Sequence, residues 1–217
     1  QAAGALLGYL IDTQRDSLAQ IRSLRAYSTE AFMALDAPTR RNLELTEAIR
    51  SGAVQGSLLG VLDLTLTPMG ARLLRAWVNQ PLLDPARLNR RLDAVEALFN
   101  DAPLRAEVRG ALKPVSDLER LTNRVLTGRA TPRDLLALRA GLEAVPRLIE
   151  LAARAGEALA LLHDELDACP EASDLIAQAI TDDPPATRDK VGVIRPGYSE
   201  ELDEVVNASR DAREWVA

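Results

Sequence analysis

A twenty-residue run from Leu58 to Trp77 most constrains how this chain can fold. It contains two helix starts, because Ser57 precedes a short apolar stretch and Thr67 is followed by Pro68. Serine and threonine side chains cap helix N-termini, and proline is favoured at the first helical position, where its missing N–H costs nothing. The run therefore predicts a short helix after Ser57 and a second helix from Pro68 to about Asn79.

The second predicted helix has an apolar face with a basic edge. Its apolar residues recur at helical spacing, at Met69, Leu73, Leu74 and Trp77. Arg72 and Arg75 flank that face. Taken alone, the run is typical of a helical hairpin with its apolar face buried in a core and both arginines solvated.

The rest of the composition favours stacked helices over a β-sandwich. Hydrophobic residues make up 47% of the 217 residues and charged residues 27%, whereas only 3% are aromatic. Such a chain has enough Leu, Ala and Val for a sizeable helical core. We predict an all-α fold, a multi-helix core with one long terminal helix. At most a short strand-like segment is expected, near residues 42–45, where Leu43 and Leu45 alternate with polar residues in a short extended or irregular stretch.

Local start and stop signals predict the remaining helices. A long amphipathic helix is expected from Ala2 to Tyr27. Asp84-Pro85 starts a helix that ends at Asn100, with an inner face formed by Leu88, Leu92, Val95 and Leu98 or Phe99. Shorter helices are expected from Pro103 to Pro114, from a Ser116–Glu119 capping box to Gly128, and from Ala172 to Ile180.

Three further helices are expected in the second half of the chain. Thr131-Pro132 starts the first, which Pro146 must kink or restart, and an Ala- and Leu-rich helix then continues to about Leu166. The third begins at Ser199 and continues to Ala217, without a stop signal.

Each residue that could serve in catalysis, metal binding or phosphate binding also has a simpler structural interpretation. Carboxylates at helix ends or surfaces serve caps and dipoles more often than catalysis, and this group contains Asp63, Asp84, Asp93 and Asp117. The acids around His163 (Asp164, Glu165 and Asp167) lie around a helix rather than converging on a metal. Arginines that could touch phosphate, but that we expect to form ion pairs, are Arg40, Arg41, Arg90, Arg91, Arg129 and Arg133. Cys169 is expected to be a small buried or half-buried residue.

Charge and cysteine content exclude several classes of protein. Residues 1–140 carry 19 basic and 15 acidic residues, and residues 141–217 carry 7 and 17. The chain therefore lacks the strong basic excess that is typical of a dedicated nucleic-acid-binding module. One cysteine excludes an internal disulfide, and one histidine leaves no ligand set for zinc. No apolar run is long enough to span a bilayer, so a cytoplasmic protein is expected. Because the chain begins at Gln1 rather than methionine, it is interpreted as an excised piece.

The run from Ser57 to Trp77 closely resembles a segment of the MutS family of DNA mismatch-repair ATPases. In the core, or lever, region of that family it has the form S-L-L-x-x-L-D-x-T-x-T-x-M-G-x-R-L-L-R-x-W. Other segments agree in the family's order: 35–45, Gln80-Pro81-Leu82-Leu83-Asp84, 91–95, 117–121, 128–135 and 194–204. The resemblance covers most of residues 31–217 and weakens between about Leu151 and Asp189.

The resemblance implies a mechanical role without chemistry in this segment. The family's phosphate loop ends in Gly-Lys-Ser/Thr, and neither Lys113 nor Lys190 lies in one; its Phe-Tyr-Glu mismatch reader is also missing around Phe32 and Phe99. We therefore assign no catalytic, cofactor-binding or metal-binding residue here, and ATP and Mg are implied only for the full-length protein. Its implied partners are mismatched double-stranded DNA, a second copy in a homodimer and other mismatch-repair proteins, with a cytoplasmic, nucleoid-associated location and no membrane.

The same resemblance divides the chain into three parts. Residues 1–30 would be a long helix leading in from the connector region, 31–198 the helical core, and 199–217 the start of the lever helix toward a clamp domain. The core would couple DNA binding and clamp closure to the ATPase domain, with Pro146 and the loop at residues 182–185 as hinges. Because the returning lever helix is missing, the apolar residues of the last helix should be partly exposed: Leu202, Val205, Val206 and Trp215. A recombination paralogue and an unrelated helical protein-binding scaffold are the alternatives.

Overall fold

In the computed structural model, which describes residues 2–13 and 31–216, the chain is a set of packed helices. The α-helices are α1 (Ala2–Thr13), α2 (Ala37–Asn42), α3 (Leu58–Leu62), α4 (Pro68–Asn79), α5 (Pro85–Asn100), α6 (Ala102–Leu112), α7 (Leu118–Leu126), α8 (Pro132–Arg154), α9 (Ala160–Glu165), α10 (Pro170–Ala179) and α11 (Glu200–Val216). A 3₁₀ helix spans Gly156–Leu159. The predicted all-α class is confirmed, because the described residues form two isolated β-bridges and no sheet.

Local signals placed most helix starts correctly. Ser57 caps α3 by accepting a hydrogen bond from the Gly60 amide, and Thr67 caps α4 in the same way through the Gly70 amide. Asp84 accepts from the backbone amides of the first turn of α5. A side-chain oxygen that reaches the free amides of a first turn acts within three residues of its own position, so the sequence reveals it.

Two local expectations are wrong, and the structure decides a third. Asp117, not Ser116, caps α7, because its carboxylate accepts from the Arg120 amide while Glu119 binds elsewhere. The segment near residues 42–45, expected to be extended or irregular, is irregular: it forms a turn at the end of α2, with Glu44 in the left-handed region (φ 50°). Cys169 is exposed, since it lies in a left-handed turn (φ 45°) just before α10.

Helix α8 is the centre of the fold. It packs against α6, α7, α9 and α10, and it continues through Pro146 instead of restarting there. Fully buried leucines on α6 and α8, Leu104 and Leu151, are 2% and 0% exposed. A second cluster, formed by Ile176, Ile180 and Val193, packs on the first half of α8.

The short helix α3 lies very close to the loop that precedes it. The Leu58 and Leu59 amides donate to the carbonyls of Glu44 and Leu45. A Cβ atom built on Gly60 would lie 2.2 Å from the Val54 carbonyl oxygen. Only glycine allows this approach of two backbones, so Gly60 determines how the loop covers α3.

The helix predicted from Ala2 to Tyr27 can be compared with the structure only in its first half. Helix α1 agrees with the first half of the helix expected from Ala2 to Tyr27, and the second half lies outside the described residues. Within residues 2–13 and 31–216, no helix combines the length and apolar character needed to cross a membrane.

Candidate domain-coupling site

Arg72, on the flank of α4, ties that helix to α7. Its guanidinium donates to both carboxylate oxygens of Asp117, at 2.6 and 2.8 Å, and also to Glu119. The parallel pair of bonds to Asp117 sets the relative orientation of the two helices as well as their separation. The hairpin interpretation expected Arg72 to be a solvated edge residue. Arg72 instead joins two helices.

The ion pair perturbs Asp117 strongly. The hydrogen bond from Arg72 is the largest cause and lowers the pKa of Asp117 from its ordinary 3.8 to about 2, and the Arg120 amide adds to the effect. The Asp117 side chain is only 16% exposed, whereas the Arg72 side chain is 49% exposed. Asp117 thus caps α7 and anchors α4 at once, the kind of structural role expected for a carboxylate at a helix start.

The sequence predicts that the apolar face of α4 is buried, and in the structure it is not. None of its residues is buried, and Leu73 and Trp77 are 52% and 39% exposed. The Arg91 guanidinium of α5 lies over the Trp77 ring, 3.7 Å from its centroid. The pKa of Arg91 is lowered, mainly by its partial burial and also by the positive charge of the neighbouring Arg87. The end of α4 is therefore held to α5 by a cation–π contact rather than by a closed core.

Glu107 joins α6 to α8 through two arginines that lie about two turns apart on α8. It accepts from Arg154 at 2.7 Å and from Arg147, and Arg147 also donates to Glu150 at 2.8 Å. The hydrogen bond from Arg154 is the main cause of the lowered pKa of Glu107. Both arginines lie in the part of α8 that follows Pro146, so this cluster fastens the half of the helix beyond the predicted hinge.

The second predicted hinge, the loop at residues 182–185, is pinned at its first residue. Asp182 accepts from Arg195 at 2.9 Å and lies 3.6 Å from Arg139 of α8. Arg195 also donates to the carbonyls of Ala177 and Ile180 at the end of α10. The loop is thus tied to α8 and α10 together, and its role as a hinge stays a prediction.

The arginines that form ion pairs are not the predicted ones. In the described part of the chain, ion pairs involve Arg72, Arg124, Arg139, Arg147, Arg154 and Arg195. No ion pair of those residues involves Arg40, Arg41, Arg90, Arg91, Arg129 or Arg133, so the expectation for these six is wrong. Two of these pairs have a visible sequence signal, the i,i+4 spacing of Arg139–Glu143 and the i,i+3 spacing of Arg147–Glu150, whereas the other pairs join residues that do not share a helix.

Large apolar side chains are exposed to solvent on α5, on α3 and in the segment after α3. The predicted inner face of α5 is exposed instead, with Leu92, Val95 and Phe99 at 62%, 62% and 75%. In α3 and the segment after it, Val61 and Leu64 are 72% and 75% exposed. Exposed apolar areas of this kind mark surfaces that another part of a protein covers.

Three of the four apolar residues expected to be partly exposed in the last helix are partly exposed. In α11, Leu202 and Val205 are 38% and 63% exposed and Val206 is half-buried, whereas the side chain of Trp215 lies outside the described ones. Its first turn is acidic, with Glu200, Glu201 and Asp203. An amphipathic helix with this much open apolar surface is suited to pairing with a further helix.

The remaining candidate acids have local roles. Asp63 accepts from the amide and hydroxyl of Thr65 between α3 and α4, Asp84 caps α5, and Asp93 lies within α5. Among residues 2–13 and 31–216, no group of three His, Cys, Asp or Glu side chains is placed to hold a metal. The side chains of His163 and Asp164 lie outside the described ones.

Comparison with known proteins gives one consistent result. The sequence profile of MutS domain III matches residues 38–214. The DNA mismatch repair protein MutS of Salinibacter ruber is 46% identical over 217 residues, which are 100% of this chain and 24% of that protein. The proteins of the same name from Alkaliphilus metalliredigens and Symbiobacterium thermophilum are 45% and 43% identical, again over 100% of this chain and 25% of each relative. The chain therefore spans about a quarter of the length of these relatives.

Proposed function

The chain belongs to the MutS domain III family, and we propose that it forms the helical core of a DNA mismatch-repair protein. In this role it couples the binding of mismatched DNA and the closure of a clamp to an ATPase domain elsewhere in the polypeptide. Family membership excludes an unrelated helical scaffold, and the relatives named above favour mismatch repair over recombination.

The pattern of ion pairs is the observation that carries this proposal. Arg72 joins α4 to α7, Glu107 joins α6 to α8, and Asp182 joins its loop to α8 and Arg195. Each of these surface pairs contributes little to stability, but each restricts how two helices can be oriented. Coupling between distant sites needs rigid elements with a small number of packed arrangements, which such pairs help to define.

The open apolar surfaces support the second half of the proposal. A core that transmits movement must contact the domains it connects, and the exposed residues of α3, α5 and α11 provide those contacts. The chemistry then belongs to the rest of the protein: ATP and Mg would bind in the ATPase domain, and mismatched duplex DNA in the reading domain. A homodimer and other mismatch-repair proteins are the further partners we propose, in the cytoplasm and at the nucleoid.

The proposal is tested by breaking the Glu107 cluster in the full-length protein. Glu107→Gln keeps the shape of the side chain but weakens its bonds to Arg147 and Arg154. We expect ATP-dependent release from mismatched DNA to slow by about two- to thirty-fold, the range that coupling energies of roughly 0.5–2 kcal/mol give. Mismatch binding without nucleotide and the basal ATPase rate should stay unchanged.

The matched control is Glu96→Gln. Glu96 is exposed on α5 and forms no ion pair within the described residues, so the same chemical change should leave release unaltered. Thermal melting of both variants separates a coupling defect from a loss of fold. Equal release rates for Glu107→Gln and the unsubstituted protein would contradict the coupling role.

A further inference from the structure

A cleft with a volume of about 780 Å³ lies between the end of α4, α5, the 3₁₀ helix and α9. We call it the arginine cleft, and the lining residues that matter here are Trp77, Arg87, Arg90, Arg91, Val95 and Leu162. None of the ion-paired residues described above lines it. It is therefore separate from the ion pairs that hold the helices together.

The apolar part of the arginine cleft is open to solvent. Val95 and Leu162 are 62% and 50% exposed, and Trp77 is 39% exposed. On α5, Leu92 and Phe99 share the helical face of Val95, three and four residues away, and are 62% and 75% exposed. A contiguous apolar surface of this extent, rimmed by charge, is typical of a protein contact.

The charged part of the arginine cleft has unused donors. Arg87, Arg90 and Arg91 lie within five residues of one another on α5, and no carboxylate of the described residues forms an ion pair with any of them. Two acids, Asp93 and Glu157, also line the cleft without pairing to these arginines. Guanidinium groups bind carboxylates through paired hydrogen bonds, so the cleft is complementary to an acidic partner.

We propose that the arginine cleft is the docking site for an acidic amphipathic helix of the same polypeptide, outside residues 1–217. Such a helix places apolar side chains on Val95 and Leu162 and carboxylates on Arg87 and Arg90. The relatives are about four times as long as this chain, and a protein of their length has further segments that could supply the helix. Duplex DNA is less suitable, because its phosphates can use the arginines but not the aliphatic floor. The proposal rests on the proposed function in treating the chain as part of a longer protein and the open face of α5 as a contact surface.

Cysteine labelling in the full-length protein tests the docking. In a background with Cys169→Ser and no other cysteine, Val95→Cys reports the cleft floor and Glu96→Cys is the matched control one residue away. Both positions are exposed in this chain, so an uncovered cleft predicts equal labelling by a maleimide. We expect Val95→Cys to react at least about ten-fold more slowly, because labelling then requires local opening.

Charge reversal tests the acidic character of the occupant. Arg87→Glu with Arg90→Glu should raise labelling at Val95→Cys to the rate of the control, whereas Arg87→Lys with Arg90→Lys should keep the protection. Both residues are exposed, and thermal melting checks that the fold is kept.

Each other outcome overturns a defined part of the proposal. Equal labelling at the two positions would show that nothing covers the cleft. Protection that appears only with added duplex DNA, or only with a second protein, would assign the cleft to that partner instead. Protection that survives charge reversal would refute an acidic occupant. Because no ATP is needed, these results are independent of the release assay for coupling.

Discussion

Replacing Gly60 by alanine should destabilise the chain through a single contact. The new Cβ would lie 2.2 Å from the Val54 carbonyl oxygen and 3.0 Å from the carbonyl carbon. These are backbone atoms, so no side-chain rotation relieves the overlap, and either α3 or the loop before it must move. That movement would disturb the hydrogen bonds from Leu58 and Leu59 to the carbonyls of Glu44 and Leu45.

The magnitude follows from two opposing effects. Alanine in place of glycine in a helix normally stabilises by about 0.5–1 kcal/mol, through the entropy of the unfolded chain. Forcing an extra carbon into a closely packed site costs about 1–3 kcal/mol, and a contact this short belongs at the upper end of that range. We expect a net loss of about 2 kcal/mol, which for a domain of this size lowers Tm by roughly 4–8 °C.

Gly110 provides the matched control. It lies in α6, and a Cβ there would meet nothing within 4 Å, so Gly110→Ala should raise Tm slightly. Thermal unfolding followed by circular dichroism at the helical band compares the two variants under identical conditions. A Tm for Gly60→Ala equal to or above that of Gly110→Ala would refute the close-contact argument.

Three other predictions follow from the structure. Leu151→Ala should cost about 2–5 kcal/mol in urea unfolding, because Leu151 is 0% exposed, whereas Leu92→Ala at 62% exposure should change stability by less than about 0.5 kcal/mol; similar costs would contradict the assigned core. Because the pKa of Asp117 falls from 3.8 to about 2 on folding, its contribution is complete above about pH 4 and is lost as the pH falls toward 2. Arg72→Met should therefore reduce stability at pH 7 more than at pH 2, and an equal difference at both would argue against the ion pair. Pro146→Ala restores a backbone donor within α8 and should slow ATP-dependent release in the full-length protein; an unchanged rate would count against Pro146 as a hinge.

Helix boundaries could be predicted from the sequence because their causes are local. Ser57, Thr67, Asp84 and Thr131 each accept a hydrogen bond from an amide two or three residues later, and a proline follows three of them directly. The one capping error, at Ser116, arose because two adjacent residues compete for the same role. There the Glu119 carboxylate accepts a hydrogen bond from the distant Arg72 instead of completing a capping box with Ser116.

The links between helices could not be predicted in the same way. Arg72 and Asp117 are separated by 45 residues, Glu107 and Arg147 by 40, and Glu107 and Arg154 by 47. No spacing rule relates such residues, so the arginines that seemed suited to ion pairs, such as Arg90 and Arg91, were chosen wrongly. Only the three-dimensional structure shows that Arg90 and Arg91 have no carboxylate partner among the described residues and that Arg91 lies over Trp77 instead, and both arginines line the arginine cleft.

Local chemistry and family motifs thus determined the class of fold, most helix starts and the family to which this chain belongs. Tertiary structure alone decided which arginines join helices and which apolar faces stay open. Helical periodicity reports that α5 has an apolar side, but whether that side is covered depends on what packs against it. For Leu92, Val95 and Phe99, the described residues of this chain supply no such cover.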